Sequence, residues 1–162
     1  MHWEERAQAE LGREWPAVPA CDAVNAPMIR HWREAMGFAP DWDGDAAAPQ
    51  TMLQCWLFPG PSKARPPGAP LQDATAVQAI FAEGGYRDAL TVQAEMRFDR
   101  ALLPGDRLRY TSVLESIGPE KRTGLGPGHF LGFCFTVLDA QDVCVGILRF
   151  TNLVYRTPGA AA

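Results

Sequence analysis

Apolar positions recur along this chain with two different periods, helical in the first third and strand-like in the second half. Met28, Ile29, Trp32, Ala35 and Met36 fall on one helical face, with Arg30, Arg33 and Glu34 on the other. Asn25 suits an N-cap, Pro27 a first-turn position and Gly37 a terminator, so the spacing predicts a helix over residues 27–37. An earlier helix is expected over residues 3–14. Another begins near Thr51 and must stop before Pro59, because Pro59-Gly60-Pro61 cannot continue it. Residues 59–70 are too rich in proline and glycine for regular structure, and a further helix over 73–83 carries Ala76, Val77, Ile80 and Phe81 on one face.

The period then changes to two. Leu90, Val92, Ala94, Met96 and Phe98 alternate with Thr91, Gln93, Glu95 and Arg97, the pattern of a half-buried strand. Pro104-Gly105-Asp106 turns the chain into a second strand over 108–117, and residues 130–138 and 143–155 form a hairpin across Asp139-Ala140-Gln141-Asp142. Helices first and four antiparallel strands afterwards predict an α+β fold, a sheet with a helix against one face, as a single domain over residues 1–162.

Composition narrows the partners. With 47% hydrophobic residues the chain can bury a core, and a net charge of −4 without like-charge blocks offers nothing to nucleic acid or an anionic membrane. The opening MHWEERAQAELGREW is charged and amphipathic, so no secretory leader is expected, and no apolar run reaches the roughly 20 residues of a membrane span. Cys21, Cys55, Cys134 and Cys144 form no CxxC pair and have no histidine at zinc spacing, which points to free thiols in a reducing cytosol.

Several local patterns invite chemistry and decline it on inspection. Asp41, Asp43 and Asp45 alternate like a calcium loop, but the sixth position is Ala46 and the twelfth Met52, so a solvated loop is expected. The run KRTGLGPGH (121–129) has its lysine before the glycines, the reverse of a phosphate loop, and reads as a Gly-rich entry into a strand. His31 sits among Arg30 and Arg33 on a polar face, and His129 stands at a strand entrance in a structural role. Trp32, Trp42 and Trp56 are expected as core or interface anchors. No metal or other cofactor is implied.

The ordered words APMIRHWREAMG, AAAPQTMLQCW, FDRALLPGDRLRYTSVLESI, KRTGLGPGHFLGFCFTV and LRFTNLVYR resemble the MaoC-like hot-dog family over residues 22–156. That resemblance implies a curved antiparallel sheet wrapped around a central helix, hydration of enoyl-CoA thioesters, and edge-to-edge pairing of two hot dogs. VNAPMIRHW, MLQCW, GGYRDAL and KRTGLGPG are most similar to the non-catalytic subunit of heteromeric hydratases that act on steroid side-chain CoA thioesters. Family enzymes carry Asp-x-Asn-Pro-x-His after the first helix, because adding water needs a base for the water and a donor for the α-carbon. Here Phe38 stands at the Asp, Ala39 at the Asn and Trp42 at the His, and only the proline is kept.

The resemblance therefore implies a chain without catalytic residues of its own, and a catalytic MaoC-like partner subunit that brings the acid and base to an acyl-CoA substrate. Candidate substrate-binding residues are Thr51 and Met52 at the central helix N-terminus, Trp56 along it, and Lys121 and Arg122 for CoA phosphates. A structural cap and a solvated basic pair remain open for the same positions. The early stop at Pro59 either opens volume for a bulky acyl group, or the following loop together with Trp56, Leu57 and Phe58 fills the space. Two rival functions also stand: a hot-dog thioesterase using Asp41, Asp43 or Asp45, and a non-enzymatic acyl-CoA binding module.

Overall fold

The computed structural model describes residues 2–39, 42, 44, 46–59 and 73–157. Helix α1, Trp3–Ala9, is shorter than the 3–14 expected, and the chain then enters an unforeseen strand, β1, Glu14–Pro19. The helix cannot run on because Gly12 takes φ +74, and Pro16 and Pro19 favour extended backbone. Two prolines hid this strand from the sequence reading, yet β1 lies at the edge of the sheet, where a missing N–H is tolerated.

Helix α2, Ala26–Ala35, starts as predicted: the Asn25 side chain accepts from Met28 N–H at 3.0 Å, and Gly37 beyond its end takes φ +79. Its apolar face is only partly used. Ile29 is buried and Met28 and Trp32 half-buried, but Ala35 and Met36 face solvent. A 3-10 turn, Gln50–Met52, leads into α3, Leu53–Leu57, which ends where Pro59 requires. The chain re-enters at Asp73, whose carboxylate caps the turn Ala74–Ala76 ahead of α4, Val77–Glu83. Asp73 Oδ1 accepts from Thr75 N–H at 2.9 Å, Oδ2 accepts from the Tyr110 hydroxyl at 2.9 Å, and Ser112 Oγ accepts from Ala74 N–H at 2.8 Å. The re-entry point is thereby pinned to the sheet. The proline-glycine segment after Pro59 and the Asp41, Asp43 and Asp45 run lie outside the described residues.

The remaining strands are β2, Asp88–Phe98; β3, Arg109–Ile117; β4, Lys121–Thr123; β5, Gly126–Leu138; and β6, Cys144–Tyr155. All pairings between them are antiparallel, in the order β1-β3-β5-β6-β2, with the short β4 hairpinned onto β5. One face of this sheet packs on α3: Trp56, Leu53 and Leu57 are buried with Tyr110, Leu114, Phe133, Phe135 and Leu148. Gly146 permits the approach, since a Cβ there would lie 2.7 Å from the Arg97 carbonyl and 3.0 Å from Leu53 Cδ2. The expected α+β order, with its helix against one sheet face, is what forms. No described helix is long and apolar enough to cross a membrane.

Strand β2 departs from the expected half-buried strand. Its register on β6 slips between Thr91 and Gln93, so Val92 is an extra residue. One inserted residue reverses which face every following side chain takes. Cross-strand rows on the inner face therefore run Leu131–Asn152–Thr91, Phe133–Phe150–Ala94 and Phe135–Leu148–Met96. Leu90 falls on the outer face and Val92 in the bulge, and both are exposed, as is Ala94 at the open edge.

The Pro-Gly-Asp turn is held by an arginine clamp. Arg100 donates to Asp106 at 2.8 Å and to Asp139 at 3.1 Å, joining the β2–β3 turn to the β5–β6 hairpin. Burial pushes the Asp106 carboxyl up, but Arg100 and the Leu103 N–H outweigh it and hold it below the ordinary carboxylate value. Asp139 is also held down, first by the Val143 N–H and then by Arg100. Depressed carboxyls stabilise the fold above their unfolded pKa and lose that contribution as pH falls through the folded one. Arg100→Ala is expected to cost about 1–2 kcal/mol at pH 7, because these are charge-assisted bonds only partly screened by solvent. Urea midpoints should show this, and the variant should lose less additional stability than the parent as pH falls below about 4.

Candidate functional site: an aromatic cavity on the inner face

Beyond the end of α3 at Leu57, a cavity of about 300 Å³ lies against the inner face of the sheet among the described residues. Its wall is aromatic: Phe133, Phe135 and Phe150 come from β5 and β6, and Phe58 from just past α3. The Phe58 ring stands edge-on to Tyr110 at 5.6 Å and to Phe135 at 5.5 Å. Polar groups interrupt this wall at Gln54, Asp73, Thr75, Thr91 and Asn152. The Thr91 hydroxyl donates to Asn152 Oδ1 at 2.9 Å across the β2–β6 pair. Trp56 and Leu57 fill the space beneath and Phe58 lines the cavity, while the loop that would complete the filling lies outside the described residues.

None of the candidate substrate-binding or motif residues among the described residues lines this cavity. Phe38 is 54% exposed and stacks on Trp32 at 6.3 Å, and the Ala39 carbonyl accepts from Arg33 Nε at 3.2 Å. Trp42 is 74% exposed, with the Arg30 guanidinium 5.2 Å from its ring. It is therefore no core anchor. Thr51 is exposed, while Met52 and Trp56 are fully buried in the core, so their side chains pack rather than face solvent. Lys121 and Arg122 are exposed on β4. The Lys121 ammonium lies 5.9 Å from the Phe130 ring. Arg122 borders a second, open cavity of about 590 Å³ with Arg156 and the Gly124–Gly126 turn. There Arg156 donates to Glu120 at 2.9 Å and to the Tyr86 hydroxyl at 2.8 Å; the Tyr86 hydroxyl donates to Glu120, and that bond first, then Arg156, holds the Glu120 carboxyl below its usual range. Arg122 has no acidic partner among the described residues.

Among the described residues, the groups capable of proton transfer are occupied or distant. His2 and His31 are on the surface. His129 is structural as expected: its Nδ1 meets the Gly118 carbonyl at 2.9 Å and its ring packs 4.7 Å from Tyr86 and 5.2 Å from Phe81. Asp73 is the carboxylate of the aromatic cavity, and both its oxygens accept hydrogen bonds from the fold itself. The four cysteines form no disulfide, and no cluster of metal-ligating side chains exists among the described residues.

Sequence reasoning missed Thr91, Asn152 and the phenylalanines of the wall. Phe133, Phe135 and Phe150 are legible as strand residues of one alternating face, but Thr91 reaches that face only through the bulge.

No family model matches the chain. It is 36% identical over 95% of its length to the probable enoyl-CoA hydratase alpha subunit of Thermomonospora curvata, covering 52% of that protein. It is 32% identical over 78% of its length to the 3-oxo-4,17-pregnadiene-20-carboxyl-CoA hydratase alpha subunit of Mycobacterium tuberculosis, covering 44% of it. The chain thus spans about half the length of the curated relatives it matches. Among solved structures, a chain of the ChsH1–ChsH2 complex from Mycobacterium tuberculosis superposes with a TM-score of 0.78 at 25% identity, covering 98% of this chain and 93% of that one. A MaoC-like dehydratase from Rhodospirillum rubrum shares the fold at a TM-score of 0.51 and 14% identity, over 91% of this chain and 94% of that one.

Proposed function

We propose, from the premise that this chain is a MaoC-like hot-dog protein related to enoyl-CoA hydratase alpha subunits, that it is the non-catalytic subunit of a heteromeric hydratase. One observation carries the reading. Hydration needs a base and an acid flanking one water, and no histidine of the chain lines the cavity that could receive an acyl group. Phe38 and Trp42 stand where the family places its aspartate and histidine, and both point into solvent rather than into a pocket. A catalytic MaoC-like partner supplies the missing pair.

The role left to this chain is architectural and selective. β2 ends the sheet with an open edge, flanked by the exposed Leu90 and Val92, and offers the partner a strand to pair with. The aromatic cavity takes the bulky end of a trans-2-enoyl-CoA. A steroid side-chain thioester fits this reading, since the Mycobacterium tuberculosis relative is named for one and fused rings suit a phenylalanine-lined wall. Lys121 and Arg122 are the cations available for CoA phosphates. Four free thiols suit a reducing cytosol.

Substituting His31 by alanine tests the central point. The assembled hydratase should retain its turnover within about twofold, whereas loss of a general base costs about 10²–10⁴-fold. A fall of that size would place the chemistry in this chain.

A further inference from the structure

Lys121 and Arg122 are neighbours in sequence, but the strand that carries them sends them to opposite faces. β4 pairs Lys121 with Gly128 and Arg122 with Pro127, and successive side chains of a strand alternate. The Lys121 ammonium lies on the outer face, 5.9 Å from the Phe130 ring. Arg122 turns the other way and borders the open cavity of about 590 Å³, where the second guanidinium is that of Arg156. Gly124 and Gly126 complete part of its wall without adding a side chain.

Arg156 is held in place with donors to spare. Its Nη2 donates to Glu120 at 2.9 Å and to the Tyr86 hydroxyl at 2.8 Å, and its guanidinium carbon lies 4.5 Å from the Tyr86 ring. Its backbone N–H donates to the Pro127 carbonyl at 3.0 Å, tying the end of β6 to the β4–β5 turn. Gly85, at φ +92, makes room for the stem, since a Cβ there would lie 3.2 Å from Arg156 Cδ. Arg156 Nε and Nη1, and all the donors of Arg122, have no acceptor among the described residues. The hydroxyls of the wall are already engaged: Thr123 donates to the Gly126 carbonyl at 2.6 Å and Thr157 to Asp88 at 2.6 Å. The Glu120 carboxylate, which would repel an anion, is turned to Tyr86 and Arg156 and does not line the cavity.

We infer that Arg122 and Arg156 together form a binding site for a phosphate oxyanion, with Arg156 positioned by Tyr86 and Glu120 and with Lys121 outside it. Two guanidinium forks in one cavity match a group that carries two charges and several acceptor oxygens, whereas a single carboxylate would leave one fork unmet. The phosphate end of a CoA thioester and a free diphosphate share this chemistry, and only the first rests on the proposed function.

Calorimetry on the full chain tests this with three probes: inorganic pyrophosphate, CoA, and pantetheine, which lacks phosphate. Pyrophosphate and CoA should bind, and CoA at least about tenfold more tightly than pantetheine. Arg122→Gln and Arg156→Gln should each weaken that binding about tenfold or more, the worth of a charge-assisted hydrogen bond. Arg156→Lys, which keeps the charge but not the fork, should lose less, about threefold. Lys121→Gln should cost less than about twofold. Arg107→Gln, the same charge change at the far end of the sheet beside the Arg109–Leu138 pair, should cost no more. Arg122 is exposed, so its variant keeps the test intact if Arg156→Gln disturbs the fold. Arginine-dependent binding of pyrophosphate without binding of CoA would keep the site, assign it to a free phosphate and count against the CoA reading. Failure of both phosphate probes to bind, binding indifferent to both arginines, or an equal loss from Lys121→Gln overturns the inference. None of those three results touches the hydratase reading, which is decided by turnover of the assembled complex.

Discussion

Replacing Leu90 and Val92 together with aspartate should weaken association with the proposed catalytic subunit by at least about a hundredfold, and the proposed hydratase activity should fall with it. The sheet order ends at β2, so one side of this eleven-residue strand has no neighbouring strand among the described residues. Leu90 is 36% exposed and Val92 45% exposed, an arrangement that natural proteins avoid on an edge unless the edge is covered by something. Glu95 and Arg97, farther along the strand, are already charged, so the apolar stretch is confined to its first half. Two carboxylates placed there would have to be desolvated on docking and would lack partners. Because both positions are exposed, the isolated chain should unfold within about 0.5 kcal/mol of the parent in urea. Full association by the double variant would mean that the partner docks elsewhere, and the exposed Phe38 and Trp42 would be the next surface to examine.

The largest stability effect is expected at Trp56. Its side chain is 0% exposed and sits at the centre of the packing between α3 and the sheet. Removing it leaves a cavity that neighbouring strands cannot close, so Trp56→Ala should cost about 3–5 kcal/mol. Against a total stability of about 5–15 kcal/mol, that loss brings the fold near its threshold. Trp56→Phe should behave differently. The indole Nε1 is buried without an acceptor among the described residues, so phenylalanine removes an unmet donor while retaining most of the apolar body. The phenylalanine variant is expected to lose only about 1–2 kcal/mol, with urea denaturation followed by circular dichroism as the measure. Equal losses for the two substitutions would show that the N–H is satisfied in solution.

Patterns confined to one element were legible in the sequence. The Asn25 cap and the period of α2, the proline stop after α3, the Asp73 start of the last helix and the β5–β6 hairpin all depend on residues within a few positions of one another. Features set by pairing were not. β1 carries two prolines that a local reading excludes from a strand, and only its edge position makes them harmless. The alternation from Leu90 to Phe98 looks unbroken in sequence, yet its register on β6 inserts Val92 and puts Thr91, not Leu90, on the inner face. The site divides in the same way. Substitution of the motif by Phe38, Ala39 and Trp42 is visible in the chain itself, whereas the cavity is assembled from five separate segments that only the tertiary structure brings together.

The most direct measurement is a native mass and a trans-2-enoyl-CoA hydration assay on this chain alone, on a catalytic MaoC-like partner, and on the two co-expressed. The account predicts an inert chain when alone and a mixed oligomer that hydrates a ring-bearing enoyl-CoA, with activity abolished by substituting the partner's aspartate or histidine. A stable homo-oligomer of this chain that hydrates the thioester unaided would contradict it.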